Sequence, residues 1–161
     1  MRNLLTVIVT CVILTVPPSQ AQSSFGGVQL LDGYSAKRVS SADALVWAIE
    51  GKSGLKISFE AGPNEGSWAD PGDRVKYAWY REQMTHGIRV RFALIKANVK
   101  TQWEPSDDRG LPPGNILLVT YLLDGEKSSH TANFAAKIAN QDEFADALLM
   151  VTTFDPSKGK F

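Results

Sequence analysis

The residues Ile116-Leu117-Leu118-Val119-Thr120-Tyr121-Leu122-Leu123 are apolar on both sides of an extended chain, with only a threonine hydroxyl and a phenol among them. Alternate side chains of a strand point to opposite faces, so this run predicts a strand in the middle of a sheet, covered on two sides. One cover is found downstream. The spacing of Asn140 to Glu143 matches a capping box, in which Asn140 caps a free amide and Glu143 reaches back, with Asp142 and Glu143 near the positive end of the helix dipole. Phe144, Ala147, Leu148 and Val151 then recur at helical spacing, and Asp155-Pro156 ends the helix. The other cover is expected to be the sheet curling over itself.

Two hairpins fill out the sheet. Residues 75–83 and 88–96 alternate on both faces, closing through Met84-Thr85-His86-Gly87. Pairing Gln83 with Ile88 sets Trp79 opposite Phe92, Tyr77 opposite Leu94 and Arg81 opposite Val90 on an inner face. The same register sets Glu82 opposite Arg89 and Tyr80 opposite Arg91 on an outer one, an ion pair beside a cation–π pair. Residues 44–50 and 55–60 suggest a second hairpin, with Ile49 opposite Leu55, Trp47 opposite Ile57 and residues 51–53 as the loop. The competing reading is a helix capped by Ser41, since Leu45, Ala48 and Ile49 also suit helical spacing; Gly51 and the strand after it favour the hairpin. A short strand over 28–34, interrupted by Asp32-Gly33, and one over 132–138 with Thr131, Asn133, Ala135 and Lys137 on a wet face complete the set. Residues 61–73 and 97–115 are loops by their Gly, Pro and charge content. The expected fold is α+β: a mostly antiparallel twisted sheet of five or six strands with one C-terminal helix packed on a face.

The start of the chain points to export. Met1-Arg2-Asn3 precedes an apolar run over 4–16 and then Pro17-Pro18-Ser19-Gln20-Ala21, the n-region, h-region and small-residue cleavage site of a secretory signal. A run of thirteen residues falls short of the roughly 20 that cross a bilayer. Residues 1–21 therefore read as a cleaved signal peptide, 22–27 as a disordered lead-in, 28–156 as a single globular domain and 157–161 as a frayed tail. Cleavage removes the sole cysteine, Cys11, and a disulfide-free exported domain fits a bacterial periplasm or medium. It also removes one of 17 basic residues and none of 17 acidic ones, leaving a net charge of −1. That balance argues against a nucleic-acid partner, whose footprint is a basic excess.

The strand Gly54-Leu55-Lys56-Ile57-Ser58-Phe59-Glu60-Ala61-Gly62, after Trp47-Ala48-Ile49 and before Ala78-Trp79-Tyr80-Arg81-Glu82-Gln83, resembles a pattern of small secreted bacterial proteins of unknown function. Their strand reads Gly-Leu-x-Ile-x-Tyr-x-x-Gly. Phe59 replaces the Tyr here, and Ala48 stands where Gly is common. The resemblance covers about a quarter of the chain. It implies a β-rich exported protein and carries no activity with it.

Catalytic chemistry has little to stand on. The chain has two histidines, His86 at a hairpin tip and His130 after Ser128-Ser129. Neighbouring residues on a strand face opposite ways, so Ser129 and His130 cannot pair, and no Gly-x-Ser-x-Gly elbow holds Ser128. Glu65, Asp70 and Asp73 crowd one loop and Asp107-Asp108 another, without calcium-loop spacing. Neither a cofactor nor a metal is expected. Residues 74–100, by contrast, carry Arg74, Lys76, Arg81, Arg89, Arg91, Lys96 and Lys100 against the single acid Glu82. Such a surface attracts an anionic envelope component, with Tyr80 as a stacking surface beside Arg89 and Arg91, or it serves only to discourage edge-to-edge aggregation. Trp68 and Trp103 sit in the two polar loops, where they either fold back onto the core or form a binding rim. The favoured function is a non-catalytic exported binding or envelope-interaction module using Tyr80, Arg89, Arg91, Trp68 and Trp103. The alternatives are a small hydrolase-type enzyme with a pocket between sheet and helix, and an accessory subunit of an envelope complex.

Overall fold

The computed structural model describes residues 23–39, 45–51, 53–63, 66–105, 108–125 and 130–159. The signal peptide over 1–21, the Ser41 cap, Glu65, Asp107, Ser128 and Ser129 lie outside them.

Nine strands and one α-helix are formed among the described residues. β1 (Ser24–Phe25) and β2 (Val28–Gln29) make a small hairpin, followed by β3 (Tyr34–Val39), β4 (Leu45–Gly51), β5 (Lys56–Pro63), β6 (Tyr77–Thr85), β7 (Ile88–Ile95), β8 (Ile116–Leu122), β9 (His130–Lys137) and α1 (Gln141–Thr152). The last seven strands form one antiparallel sheet in the order β3-β4-β5-β9-β8-β7-β6. The α+β architecture with a C-terminal helix is as expected, and the strand count is higher. β1 and most of β3 carry no sequence signal, and the expected strand over 28–34 is instead divided between β2 and the start of β3, which as an edge keeps four of its six residues exposed. Residues 24–29, placed largely in a disordered lead-in by composition, pair as β1 and β2 instead. Ser157 and Lys158 of the expected frayed tail join Pro156 in a 3-10 turn capped by Asp155. No helix among the described residues is long and apolar enough to cross a membrane.

Both hairpins form, each two residues out of the expected register. Ile49 faces Ile57 and Trp47 faces Phe59, because Gly54 at φ +87° and the Gly51 amide bonded to the Leu55 carbonyl hold Leu55 in the turn. In the other hairpin Thr85 faces Ile88 across His86-Gly87, both at positive φ, as a two-residue type I′ turn requires. Trp79 therefore faces Leu94, Arg81 faces Phe92, and Glu82 faces Arg91 rather than Arg89. A slip of two residues keeps every side chain on its face, so the two-sided character survives. It fails only at Ala78, where a register shift between Tyr77 and Trp79 sends Tyr77 to the face of Tyr80.

The sheet carries a core on each side. On one, Trp47, Phe59, Phe92, Val119, Phe134 and their neighbours meet Ala147, Met150 and Val151 of α1 and Phe154 beyond it. Trp47 stacks on Phe59 at 4.0 Å, and the Tyr121 hydroxyl donates to the Val151 carbonyl at 2.7 Å. Truncating one of these buried rings to alanine costs about 3–5 kcal/mol. Trp79, expected in the core, lies at its margin and stays 36% exposed. The helix start is capped as expected, the Glu143 amide donating to Asn140 Oδ1 at 2.9 Å, and Glu143 reaches back one residue beyond the cap, its Oε2 accepting from the Ala139 amide at 2.9 Å.

The second core corrects an expectation. All seven residues of β8 are buried, as its doubly apolar sequence demands, yet the sheet does not curl over to cover it. Two loops do, laying Trp68, Ala69 and Trp103 over Ala93, Ile95, Ile116, Leu118 and Ala135. Thr131, Asn133, Ala135 and Lys137, expected on a wet face, are buried beneath them.

Candidate functional site

The loop-covered face is where the residues singled out by sequence meet. Its foundation is Asn133, whose amide uses its full capacity of two donors and two acceptors. Asn133 Oδ1 accepts from the Trp68 amide at 3.2 Å and from the Thr120 hydroxyl at 2.7 Å. Asn133 Nδ2 donates to the Gly66 carbonyl and to Thr131 Oγ1, each at 3.0 Å. Thr131 also donates to Gly66 at 2.8 Å, and Thr120 accepts from the Ala69 amide at 3.1 Å. Three polar side chains with no exposed surface thus replace water for the backbone of residues 66–69.

The second loop is held by ion pairs. Lys137 Nζ meets Glu104 Oε1 at 2.5 Å, Arg109 Nη1 meets Glu143 Oε1 at 2.6 Å, and Arg109 Nη2 donates to the Lys137 carbonyl at 2.9 Å. Trp103 is thereby brought over Trp68, the rings stacked at 4.9 Å and 19°. Trp68 is buried against the sheet, and its indole Nε1 has no hydrogen-bond partner. Trp103 is half-buried and forms the outer plate.

Beside this stack lies the basic ribbon. Tyr80, Glu82, Arg89 and Arg91 share the face, since Tyr80 pairs with Ala93 and Glu82 with Arg91. Glu82 serves two arginines, with Arg91 Nε at 3.1 Å and Arg89 Nε at 3.6 Å, and it accepts from the Tyr80 hydroxyl at 3.3 Å. Arg91 reaches Ser67 Oγ of the first loop at 3.5 Å, which joins the ribbon to the Trp68 loop. The expected Tyr80–Arg91 cation–π pair is replaced. The guanidinium over the Tyr80 ring is that of Arg74, 4.5 Å from the centroid, and the register two residues along explains the exchange. The Ala78 bulge adds Tyr77, parallel to Tyr80 at 5.8 Å. Burial, followed by Asp73 and Asp70, pushes Tyr77 up to about 12, and burial likewise raises Tyr80, so both phenols are neutral at physiological pH. Arg89 and Arg91 share the Glu82 carboxylate while Arg74 lies over the Tyr80 ring, so three guanidinium groups border this aromatic wall, with Asp70 and Asp73 on the Tyr77 side.

The structure therefore brings Tyr80, Arg89, Arg91, Trp68 and Trp103 onto one face, although they come from three segments. Sequence reasoning gave Arg74 no role at Tyr80 and read Asn133 and Thr131 as solvated. Asp70 caps a 3-10 turn over 71–76, its Oδ1 accepting from the Gly72 amide at 2.7 Å, and Asp73 pairs with Lys76. Asp108 pairs with Lys56. His86 is exposed at its turn, and His130 is exposed at the start of β9. Among the described residues no three His, Cys, Asp or Glu side chains gather in a metal-binding group. The hollows between sheet and helix contain neither Glu82 nor His130. Comparison of the chain with protein-family models, curated proteins and solved structures finds no match.

Proposed function

We propose that the protein is an exported, non-catalytic binding module whose loop-covered sheet face takes the phosphate-bearing head group of an anionic envelope lipid. The observation that carries this reading is the placement of Arg89 and Arg91 on the Glu82 carboxylate and of Arg74 over the Tyr80 ring, beside the Trp68–Trp103 stack. Guanidinium groups match phosphate oxygens with paired donors, and an aromatic wall beside them adds stacking and apolar contact. Export is supported by the charged, apolar and small-residue succession of residues 1–21. No nucleophile paired with a base lies on this face among the described residues, which favours binding over turnover.

Vesicle flotation tests the reading. The protein lacking residues 1–21 should float with phosphatidylglycerol vesicles and not with phosphatidylcholine vesicles, and the flotation should weaken as salt is raised. The double substitution Arg74→Glu and Arg89→Glu should cut retention about tenfold or more, by charge reversal at one exposed and one half-buried position. Equal flotation of the variant and the parent, with both folded by circular dichroism, would remove this face from the account.

A further inference from the structure

The seven-stranded sheet ends at two edges, β3 and β6. β3 guards its edge with adjacent exposed cations, Lys37 and Arg38. β6 is different. Val75, Trp79 and Met84, large apolar side chains left exposed by the fold, lie on it or beside it, Met84 with 63% of its surface in solvent. Its backbone groups are open as well. The two-residue turn makes Thr85 and Ile88 a hydrogen-bonded pair, so Gln83, Arg81 and Trp79 also bond to β7, and the amides and carbonyls of Tyr80, Glu82 and Met84 point outward.

A second copy of β6 fits this edge in one antiparallel register. Continuing the sheet across two copies requires a two-fold axis perpendicular to it, which sets residues of one face opposite each other. An axis through Tyr80 needs the amide of Ala78, where the register shift breaks the strand. An axis through Arg81 sets the two Arg81 side chains against each other, and Arg81 has no carboxylate beside it among the described residues. An axis beyond Glu82 carries the second copy past the turn and loses pairs. Through Glu82, all three outward residues are used: Tyr80 of each copy meets Met84 of the other, Arg81 meets Gln83, and Trp79 meets Thr85. The two Glu82 side chains meet at the axis, each already held by Arg91 at 3.1 Å and Arg89 at 3.6 Å, so guanidinium groups of both copies offset the like charges. We propose that the protein dimerises by pairing β6 with β6 of a second copy in this register. The axis keeps the arginine–tryptophan surfaces of both copies on one side of the sheet, the two β7 strands about 14 Å apart across three interstrand steps. Two head-group sites on one surface add avidity, a consequence that rests on the lipid reading, whereas the pairing does not.

Sedimentation velocity of the chain lacking residues 1–21, in the absence of lipid, tests the pairing. So short a ladder belongs to the low end of interface sizes, so the sedimenting mass should double as concentration rises through the micromolar range. Over the same range the amides of Tyr80, Glu82 and Met84 should exchange more slowly with solvent. Met84→Pro removes one outward amide at an edge position that tolerates proline, and should weaken the dimer about tenfold or more. Met84→Lys changes only an exposed side chain and should weaken it similarly, by setting a cation near Arg74 over the Tyr80 ring of the other copy. Val39→Lys, at the β3 edge, should leave the dimer unchanged. A chain that stays monomeric at every concentration, a dimer that survives both Met84 variants, or an equal loss in Val39→Lys would overturn the assignment. A urea melt of each variant separates lost pairing from lost folding, and because no lipid is present, failure of the head-group reading leaves this result standing.

Discussion

Asn133 shows how a single residue decides which face of a sheet is dry. An asparagine in an alternating strand is read from sequence as pointing to water, and nothing local distinguishes water from loop backbone as its partner. Here the partner is backbone, through the Trp68 amide and the Gly66 carbonyl. Asn133→Ala should therefore lower stability by about 2–4 kcal/mol, since it orphans several buried groups at once, and urea denaturation measures it. A loss below about 0.5 kcal/mol would mean that residues 66–69 are held by the tryptophan stack alone. A second residue-scale expectation concerns Tyr34, whose hydroxyl donates to Asp146 Oδ2 at 2.7 Å. Burial, reinforced by Asp146, raises it from 10.0 to about 12. The folded state holds this proton more tightly than the unfolded chain, so its contribution is complete below pH 10 and is lost as pH rises from 10 to 12. Over that window Tyr34→Phe should show a shallower fall in stability than the parent; parallel curves would show that the phenol proton is not linked to folding.

At the scale of elements, the hairpins were legible because two faces of each alternation agreed, and their registers were not because turn chemistry set them. His86-Gly87 closes β6 to β7 with φ of 51° and 78°, a geometry in which histidine is tolerated and asparagine is preferred. His86→Asn should raise the urea midpoint slightly, whereas Gly87→Ala should cost about 1 kcal/mol or more, because alanine resists positive φ. No change in either variant would argue for a different turn. α1 was predicted from its capping box and apolar stripe, and Asn140 accepts the Glu143 amide as expected. Asn140→Ala should cost about 1 kcal/mol in the same assay. β3 escaped notice for the reason that makes it an edge. Four of its six residues are exposed and only Tyr34 and Ala36 pack against the core, too few for hydrophobic periodicity to mark a strand.

At the scale of the whole molecule, the doubly apolar β8 correctly demanded two covers, and only one of them was identifiable in advance. The missing cover is made of loops, whose composition signals irregular backbone and hides that they lie flat on a sheet. The visible clue was Trp68 and Trp103, large apolar side chains in polar segments. Their return to the core pulls the loops down, and the Ser67 contact then sets Arg91 beside them. The surface proposed for lipid head groups is thus a product of the loop cover, while the five residues assigned to it could be chosen from sequence but not placed together. The most direct measurement is a two-dimensional nitrogen–proton spectrum of the chain lacking residues 1–21, recorded as phosphatidylglycerol nanodiscs are added at low salt. Shifts or broadening concentrated at Ser67, Tyr80, Arg89, Arg91 and the indole signals of Trp68 and Trp103 are the predicted result. Perturbation confined to the helix side of the sheet, or none at any lipid concentration, would contradict the account.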